Sequence, residues 1–434
     1  MLNNIILPRC ISHIVNDIRN LLRYLHFYKL ETIIPERKVS LMTRIYLDHA
    51  ATTPPLPEVC DTMISYMNLE WGNPSSLYDF SDKPRRAMAE ARTHTAALIH
   101  ADPRRIFFTS GGSESDSWAL ISCAHLLQSL GNHIIVSAIE HHAILHAAAF
   151  LESEGFVVTY LPPDTAGFVR PESLRQAMRP DTILVSVMMA NNEIGTIQPV
   201  SDLAYIAHTH GCEGCLFHTD AVQAYGQIPI DVQRQGIDLL SASAHKIYGP
   251  KGIGLLYIRE DVKLPPLIFG GGQENGIRGG TENVPAIAGF GTAAAIANSQ
   301  MHAAIRHESA LRDYLIRRIL NDIPFCRLNG SPQNRLPGNV NFSFEYVEGS
   351  SLLMLLDSRG ICASSGSACS SASVAPSHVL TAIGLPDALA SASLRLTLGR
   401  ETTKNELDTT ISILKETIAQ LRSISDAYQE RISR

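Results

Sequence analysis

The sequence predicts an α/β protein in which a mostly parallel sheet lies between helices and a smaller α+β domain follows. Three observations carry this expectation. The chain has 434 residues, 45% of them hydrophobic, enough for two domains and a large buried core. Beyond Arg105, short β-rich runs alternate with helical stretches, the pattern of parallel strands joined by crossover helices. After about residue 300 the alternation stops, and a long helix candidate, sparse strands and a terminal amphipathic helix take over.

Residues 1–44 stand apart as an N-terminal extension. They carry seven Arg/Lys against three Asp/Glu and include "HIVNDIRNLLRYLHFYKL", where Ile14, Ile18, Leu21, Leu22 and Leu25 share a helical face. The basic balance suits organellar targeting. The two serines, the retained acids and the lack of a secretory h-region favour a plain extension before a functional sequence that begins near Met42.

The large domain is expected over 45–302. Its strand candidates are "RIFFTS", "HIIVSAIE", "FVVTYLP", "TILVSVMMA", "LFHTDA", "DLLSASA" and "GIGLLYI". In such sheets the functional crevice opens at the carboxyl ends of the strands. The small domain is expected over 303–434, with a helix in "HAAIRHESALRDYLIRRILND" and strands in "NVNFSF" and "SLRLTLG". Its last helix starts at a capping box of Thr403 and Glu406 and carries Leu407, Ile411, Leu414, Ile418 and Leu421 at helical spacing.

A net charge of -6 leaves no basic footprint for nucleic acid, and no apolar run reaches the roughly 18 residues of a membrane span. Eight cysteines scattered over so long a chain read as reduced thiols in a cytoplasmic protein. Cys212 and Cys215 of "HGCEGCLFH" form one CxxC, a weak metal or redox signal without a second ligand pair. The plain reading is a surface loop, and no metal is expected.

Five strand ends carry candidate chemistry. "SASAHKIYGPKG" delivers His245 and Lys246, and a lysine at a crevice mouth is able to form a Schiff base. Alone it reads as a surface lysine. "FHTDAVQ" brings Asp220 and Gln223 to the same edge; a buried carboxylate there keeps a pyridine nitrogen protonated, although Asp220 also suits a helix N-cap. "FFTSGGSESDSWAL" runs from strand to helix through Gly112 and Ser113, a cup for a phosphate at a helix N-terminus, with Ser113 and Asp116 at capping-box spacing. It is neither GxGxxG nor a P-loop, which argues against nicotinamide and nucleoside triphosphates. His141 of "EHHAIL" is placed to stack on a flat ring or move protons, Asn192 ends another strand, and Arg395 of "SLRLTLGR" suits a carboxylate or a structural ion pair. Finally, "ASSGSACSSASVAPSH" (363–378) sets Cys369 among serines with no apolar period, an unusual place for a residue that prefers burial.

Taken together, "YLDHAATTPP", "GNPSS", "SGGSESD", "EHHAIL", "ANNEIGTIQP", "HTDAVQAYGQIPID", "SAHKIYGPKGIG", "RGGTENV", "SSGSACSSAS" and "PSHVL" resemble, in order, a class-V, fold-type I pyridoxal phosphate enzyme of the NifS/IscS cysteine desulfurase type. The resemblance spans Ile45 to Thr402. It implies a seven-stranded sheet, pyridoxal 5'-phosphate held covalently by Lys246, Asp220 on the pyridine nitrogen, Gln223 on the ring hydroxyl and His141 stacked on the ring. Gly112, Ser113, Ser243 and His245 would bind the phosphate, joined by Thr281 of a second subunit, so a homodimer is implied. Asn192 would lie beside the cofactor, and Arg395 and Asn73 would hold the substrate carboxylate. L-cysteine would become L-alanine, with Cys369 left as a persulfide for a sulfur-acceptor protein, an iron–sulfur scaffold or sulfur relay, and its loop expected to be poorly ordered. A selenocysteine lyase or aminotransferase on the same fold is the alternative, and a catalytically silent assembly platform is the rival of another class.

Overall fold

The computed structural model describes residues 44–365 and 376–433. Most of the 1–44 extension, and Cys369 with the greater part of its loop, lie outside the described residues.

The described chain opens on strand β1 (Ile45–Tyr46) and passes through helices α1 (Pro57–Asn68) and α2 (Asp82–Ala97). Strand β2 (Ile106–Thr109), helix α3 (Gly112–Leu127), β3 (His133–Ser137), helix α4 (His142–Ser153), β4 (Val157–Leu161), β5 (Thr182–Ser186), β6 (Leu216–Asp220), β7 (Leu239–Ser243) and β8 (Gly254–Ile258) follow. These strands form a seven-stranded sheet in the order β2-β8-β7-β6-β5-β3-β4. Only β8 runs against its neighbours, pairing antiparallel with β2 and β7, while β7, β6, β5, β3 and β4 pair in parallel. Strands β2, β3, β5, β6, β7 and β8 are buried along their whole length, which is why they read as continuous apolar runs rather than alternating ones. One hydrophobic cluster gathers Phe217, Leu240 and Leu255 with Phe290, the other gathers Ile134, Leu184 and Leu256 with Trp118.

Helix α5 (Val284–Asp322) is 39 residues long and runs unbroken through residues 302 and 303, where the sequence pattern places the domain change. It also begins well before "HAAIRHE", because glycines 289 and 291 do not break it. A Cβ on Gly291 would stand 2.5 Å from Ala91 Cα, and one on Gly289 2.8 Å from Met63 Cγ. The glycines are the condition for close packing on α2 and α1, and that packing outweighs their low helix propensity.

Beyond α5, β9 (Cys326–Leu328), β10 (Asn339–Phe344) and β12 (Ser393–Thr397) form an antiparallel sheet in the order β12-β10-β9. Strand β11 (Ile361–Cys362) pairs in parallel with β1, and Leu47 joins a cluster of Phe342, Leu396 and Leu414. The first described residues thus pack with the last third of the chain. The terminal helix α6 (Lys404–Ser423) has its capping box: Thr403 N–H donates to Glu406 at 2.8 Å and Glu406 N–H to Thr403 Oγ1 at 3.3 Å. Among the described residues, no helix is long and apolar enough to cross a membrane.

Candidate active site

A cavity of about 470 Å³ opens at the carboxyl ends of the parallel strands. Gly112, Ser113, His141, Asn192, Asp220, Gln223, Ser243, His245, Lys246 and Arg395 all line it, so ten residues singled out in the sequence converge there.

The turn from β2 into α3 forms one wall. Here the structure corrects the capping box expected of Ser113 and Asp116. Helix α3 starts at Gly112 with Gly111 as N-cap and no side-chain cap, while Glu114 Oε2 accepts from Ser110 N–H at 2.7 Å. Asp116 is instead buried at the cavity, so its carboxylate is not at the helix start. Uncapped first-turn N–H groups are anion donors, and the adjoining recess is lined by Gly111, Gly112, Ser113, Ser243 and His245. A Cβ on Gly112 would stand 2.7 Å from Val222 Cγ2, so the close approach of α3 to the Asp220 turn requires glycine.

Asp220 ends β6 with 5% exposure, and its Oδ1 accepts Val222 N–H at 2.8 Å. Burial raises its pKa; the charges of His141 and Lys246 and the Val222 hydrogen bond pull the other way. Asp116 is pushed up further, first by burial and then by Asp220, and burial lifts Glu140 to about 8. Asp116 Oδ1 and Glu140 Oε2 have no hydrogen-bond partner among the described residues. A floor of buried carboxylates with orphaned oxygens favours a cation over it, which is the property of a protonated pyridine ring.

His141 is the N-cap of α4. Its Nδ1 accepts Ala143 N–H at 3.2 Å, which places the proton of the neutral ring on Nε2. Lys246 sits on the short 3₁₀ turn Ala244–Lys246 after β7, and its Nζ donates to Ala50 O and, at 2.8 Å, to Ala51 O. Gln223 Nε2 donates to the same Ala50 carbonyl at 3.1 Å. Burial, then Lys246 and Lys251, lower His245 to about 4, so that ring is neutral at physiological pH.

Arg395 on β12 is 2% exposed; its Nη2 donates to Asp48 Oδ1 at 2.8 Å and its Nη1 to Asn192 O at 3.1 Å, while Nε has no partner among the described residues. The ion-pair reading of this residue is therefore realised, and its side chain also lines the cavity.

Both flanks of segment 366–375 are fastened to the cavity wall. Ser364 and Arg395 exchange backbone hydrogen bonds of 3.2 and 2.7 Å. On the other side Ser377 Oγ donates to Glu193 Oε2 at 2.5 Å, and His378 Nε2 donates to Glu140 O at 3.0 Å. Glu193 and His378 line the cavity themselves.

Two expected residues do not line it. Thr281 and Asn73 are exposed, with Asn73 Oδ1 accepting Ser75 N–H at 2.9 Å. Asp48, Glu140 and Glu193 were not singled out in the sequence, though they sit inside the motifs "YLDHAATTPP", "EHHAIL" and "ANNEIGTIQP". Cys215 is buried and Cys212 half-buried, against the surface loop expected, because Cys215 packs in a core cluster. Cys362, at the end of β11, is half-buried.

The sequence matches the family model described as "Aminotransferase class-V" over residues 45–410. It is 51% identical over 386 residues to cysteine desulfurase IscS of Dictyoglomus turgidum, covering 89% of this chain and 97% of that protein. A solved NifS-like protein superposes with a TM-score of 0.81 at 36% identity, covering 87% of this chain and 100% of the other. The structure of SspA in complex with cysteine gives a TM-score of 0.72 at 37% identity, covering 83% of this chain and 100% of that one.

Proposed function

The chain belongs to the class-V aminotransferase family, and we infer on that premise that it is a cysteine desulfurase, converting L-cysteine and an enzyme thiol to L-alanine and an enzyme persulfide. The observation that carries this reading is that Lys246, Asp220, His141 and Arg395 share one cavity to which both flanks of the Cys369 segment are tied.

The cavity suits pyridoxal 5'-phosphate: a donor-lined recess for phosphate, a buried carboxylate for the ring nitrogen and a lysine within the same walls. Lys246 would hold it, with Asp220 on the nitrogen, Gln223 on the ring hydroxyl, His141 and Asn192 against the ring, and Gly112, Ser113, Ser243 and His245 on the phosphate. When bound, the cofactor supplies an electron sink that weakens the Cβ–S bond of the amino acid. Arg395 orients the substrate carboxylate with its guanidinium fork. Lys246 moves the Cα proton, and the low-dielectric walls keep water from competing. The Cys369 thiolate takes the substrate sulfur; one S–S bond forms as one C–S bond breaks, and a proton returns to the carbon fragment as it leaves as alanine.

In the same reading, Thr281 completes the phosphate site of a partner subunit in a homodimer, Asn73 contacts the substrate carboxylate, and the persulfide passes to an acceptor protein of iron–sulfur assembly or a sulfur relay. The division at 302 and 303 separates a cofactor-binding half from one that carries the cysteine. The cytoplasmic placement is supported by six described cysteines that are all free thiols.

The deciding experiment incubates the purified, cofactor-loaded protein with L-cysteine, with and without reductant, and follows alanine, sulfide and the mass of the Cys369 peptide. Alanine and sulfane sulfur in equal amounts, with a Cys369→Ala variant that makes neither at the parent rate, is the expected result. Full activity in that variant would remove Cys369 from the reaction.

A further inference from the structure

Beside the active-site cavity lies a smaller chamber with a partly polar wall. The two share Ala50, Gln223 and Lys246, so the lysine stands between them. The chamber's 40 Å³ is room for a water molecule, whose share of liquid volume is roughly 30 Å³. His49, Gln227, Tyr248, Glu308 and Thr397 supply its polar wall.

Glu308 is the unexpected member. It comes from the middle of α5, is 3% exposed, and the charge that acts on its carboxylate is that of Arg400. A buried carboxylate is costly unless donors or water solvate it, and Glu308 faces the chamber. Space is kept for that: residue 338 is glycine, and a Cβ there would stand 2.9 Å from Glu308 Oε2. The charged and titratable groups around it are Arg400, which stabilises the carboxylate, and Tyr248 and His49 across the chamber, which also feel Glu401. His49 Nδ1 donates to Thr397 O at 3.0 Å, leaving Nε2 as an acceptor, and Tyr248 Oη accepts Arg400 N–H at 2.9 Å with its own proton still to give. Burial brings Glu308 to about 7, so it is able both to take and to release a proton near neutrality.

We propose that Glu308 is a positioning residue for the proton of Lys246, exchanging it with Nζ through water in this chamber rather than through the substrate cavity. The inference rests on the reading of Lys246 as the base that moves the Cα proton. The step balances: the ammonium gives a proton to water, which gives one to the carboxylate, leaving amine and carboxylic acid. The reverse restores both, so the base is reset without opening the substrate side to solvent.

The test uses the full-length protein. In the loaded enzyme, Glu308→Gln should lower kcat roughly tenfold, leave KM for cysteine unchanged and remove the limb of the pH profile near neutrality, with Glu308→Asp recovering most of the rate. Arg400→Gln, outside the cavity, should keep the plateau rate and move that limb to higher pH, because loss of the cation raises Glu308. In the cofactor-free chain, acetylation of Lys246 by acetic anhydride, followed by peptide mass against pH, should shift to lower pH in Glu308→Gln, since the anion that favours the ammonium is gone. Lower thermal stability with an unmoved limb and unmoved Lys246 labelling would make Glu308 a packing residue and overturn the proposal. If Glu308→Gln does not fold, an unmoved limb in Arg400→Gln overturns it equally. A protein without desulfurase turnover would still report through the labelling, so failure of the function and failure of the relay read separately.

Discussion

Arg395 Nη2 donates to Asp48 Oδ1 at 2.8 Å, an ion pair between residues 347 positions apart that ties the first described strand region to the last strand of the small sheet. The same guanidinium faces the cavity, so it is fixed before any substrate arrives. Lysine, a point charge, has no second arm for Asn192 O. Arg395→Lys is expected to raise KM for cysteine by about tenfold or more while leaving cofactor retention intact. Steady-state kinetics beside the absorbance of the bound cofactor check this, and an unchanged KM would reassign Arg395 to the ion pair alone.

Asp220→Asn keeps the shape of the side chain and an acceptor for Val222 N–H but removes the charge. An uncharged partner no longer holds a ring nitrogen protonated, so kcat should fall by about a hundredfold or more with little loss of fold. Circular dichroism and single-turnover alanine formation separate the two effects. Parent-like turnover would place the ring nitrogen elsewhere.

Glu140 carries a stability prediction for the cofactor-free protein. Its folded pKa of about 8 lies above the ordinary 4.5, because burial outweighs the hydrogen bonds from Ser137 and Met188 N–H. The folded state therefore binds more protons than the unfolded state between those values, and stability falls as pH rises through that window, by on the order of a few kcal/mol. Glu140→Gln should flatten the dependence. Melting temperatures at pH values across the window measure it, and identical slopes for variant and parent would contradict the buried carboxyl.

Gly291→Ala tests the helix that sequence reading began too late. The new methyl would meet Ala91 Cα at 2.5 Å, main chain rather than a flexible side-chain end. A loss of about 1–3 kcal/mol is expected, against the gain that an exposed helical Gly→Ala change brings. Denaturant unfolding decides the sign.

Local chemistry was the legible part of this molecule. Runs such as "LFHTDA" and "DLLSASA" announce buried parallel strands because every residue of β6 and β7 is inside. The Thr403–Glu406 box is readable because both of its hydrogen bonds close within four residues. Lys246, Asp220 and His141 follow strand ends, and strand ends in such a sheet share an edge, so their meeting follows from topology. The start of α5 was not legible, since its glycines look like breakers until Ala91 and Met63 are placed against them.

The sequence by itself thus determined the sheet, the edge at which the site forms and the side chains that arrive there, because those depend on hydrophobic period and turn chemistry. Tertiary structure decided which charges and polar groups meet across long stretches of chain, Asp48 with Arg395 and Ser377 with Glu193, and which carboxyls are buried, Glu140 and Glu308. Burial and long-range pairing set the protonation of a carboxylate, and neither is encoded in its neighbours along the chain. That is why Asp116, read as a helix cap, proved to be part of the cavity floor.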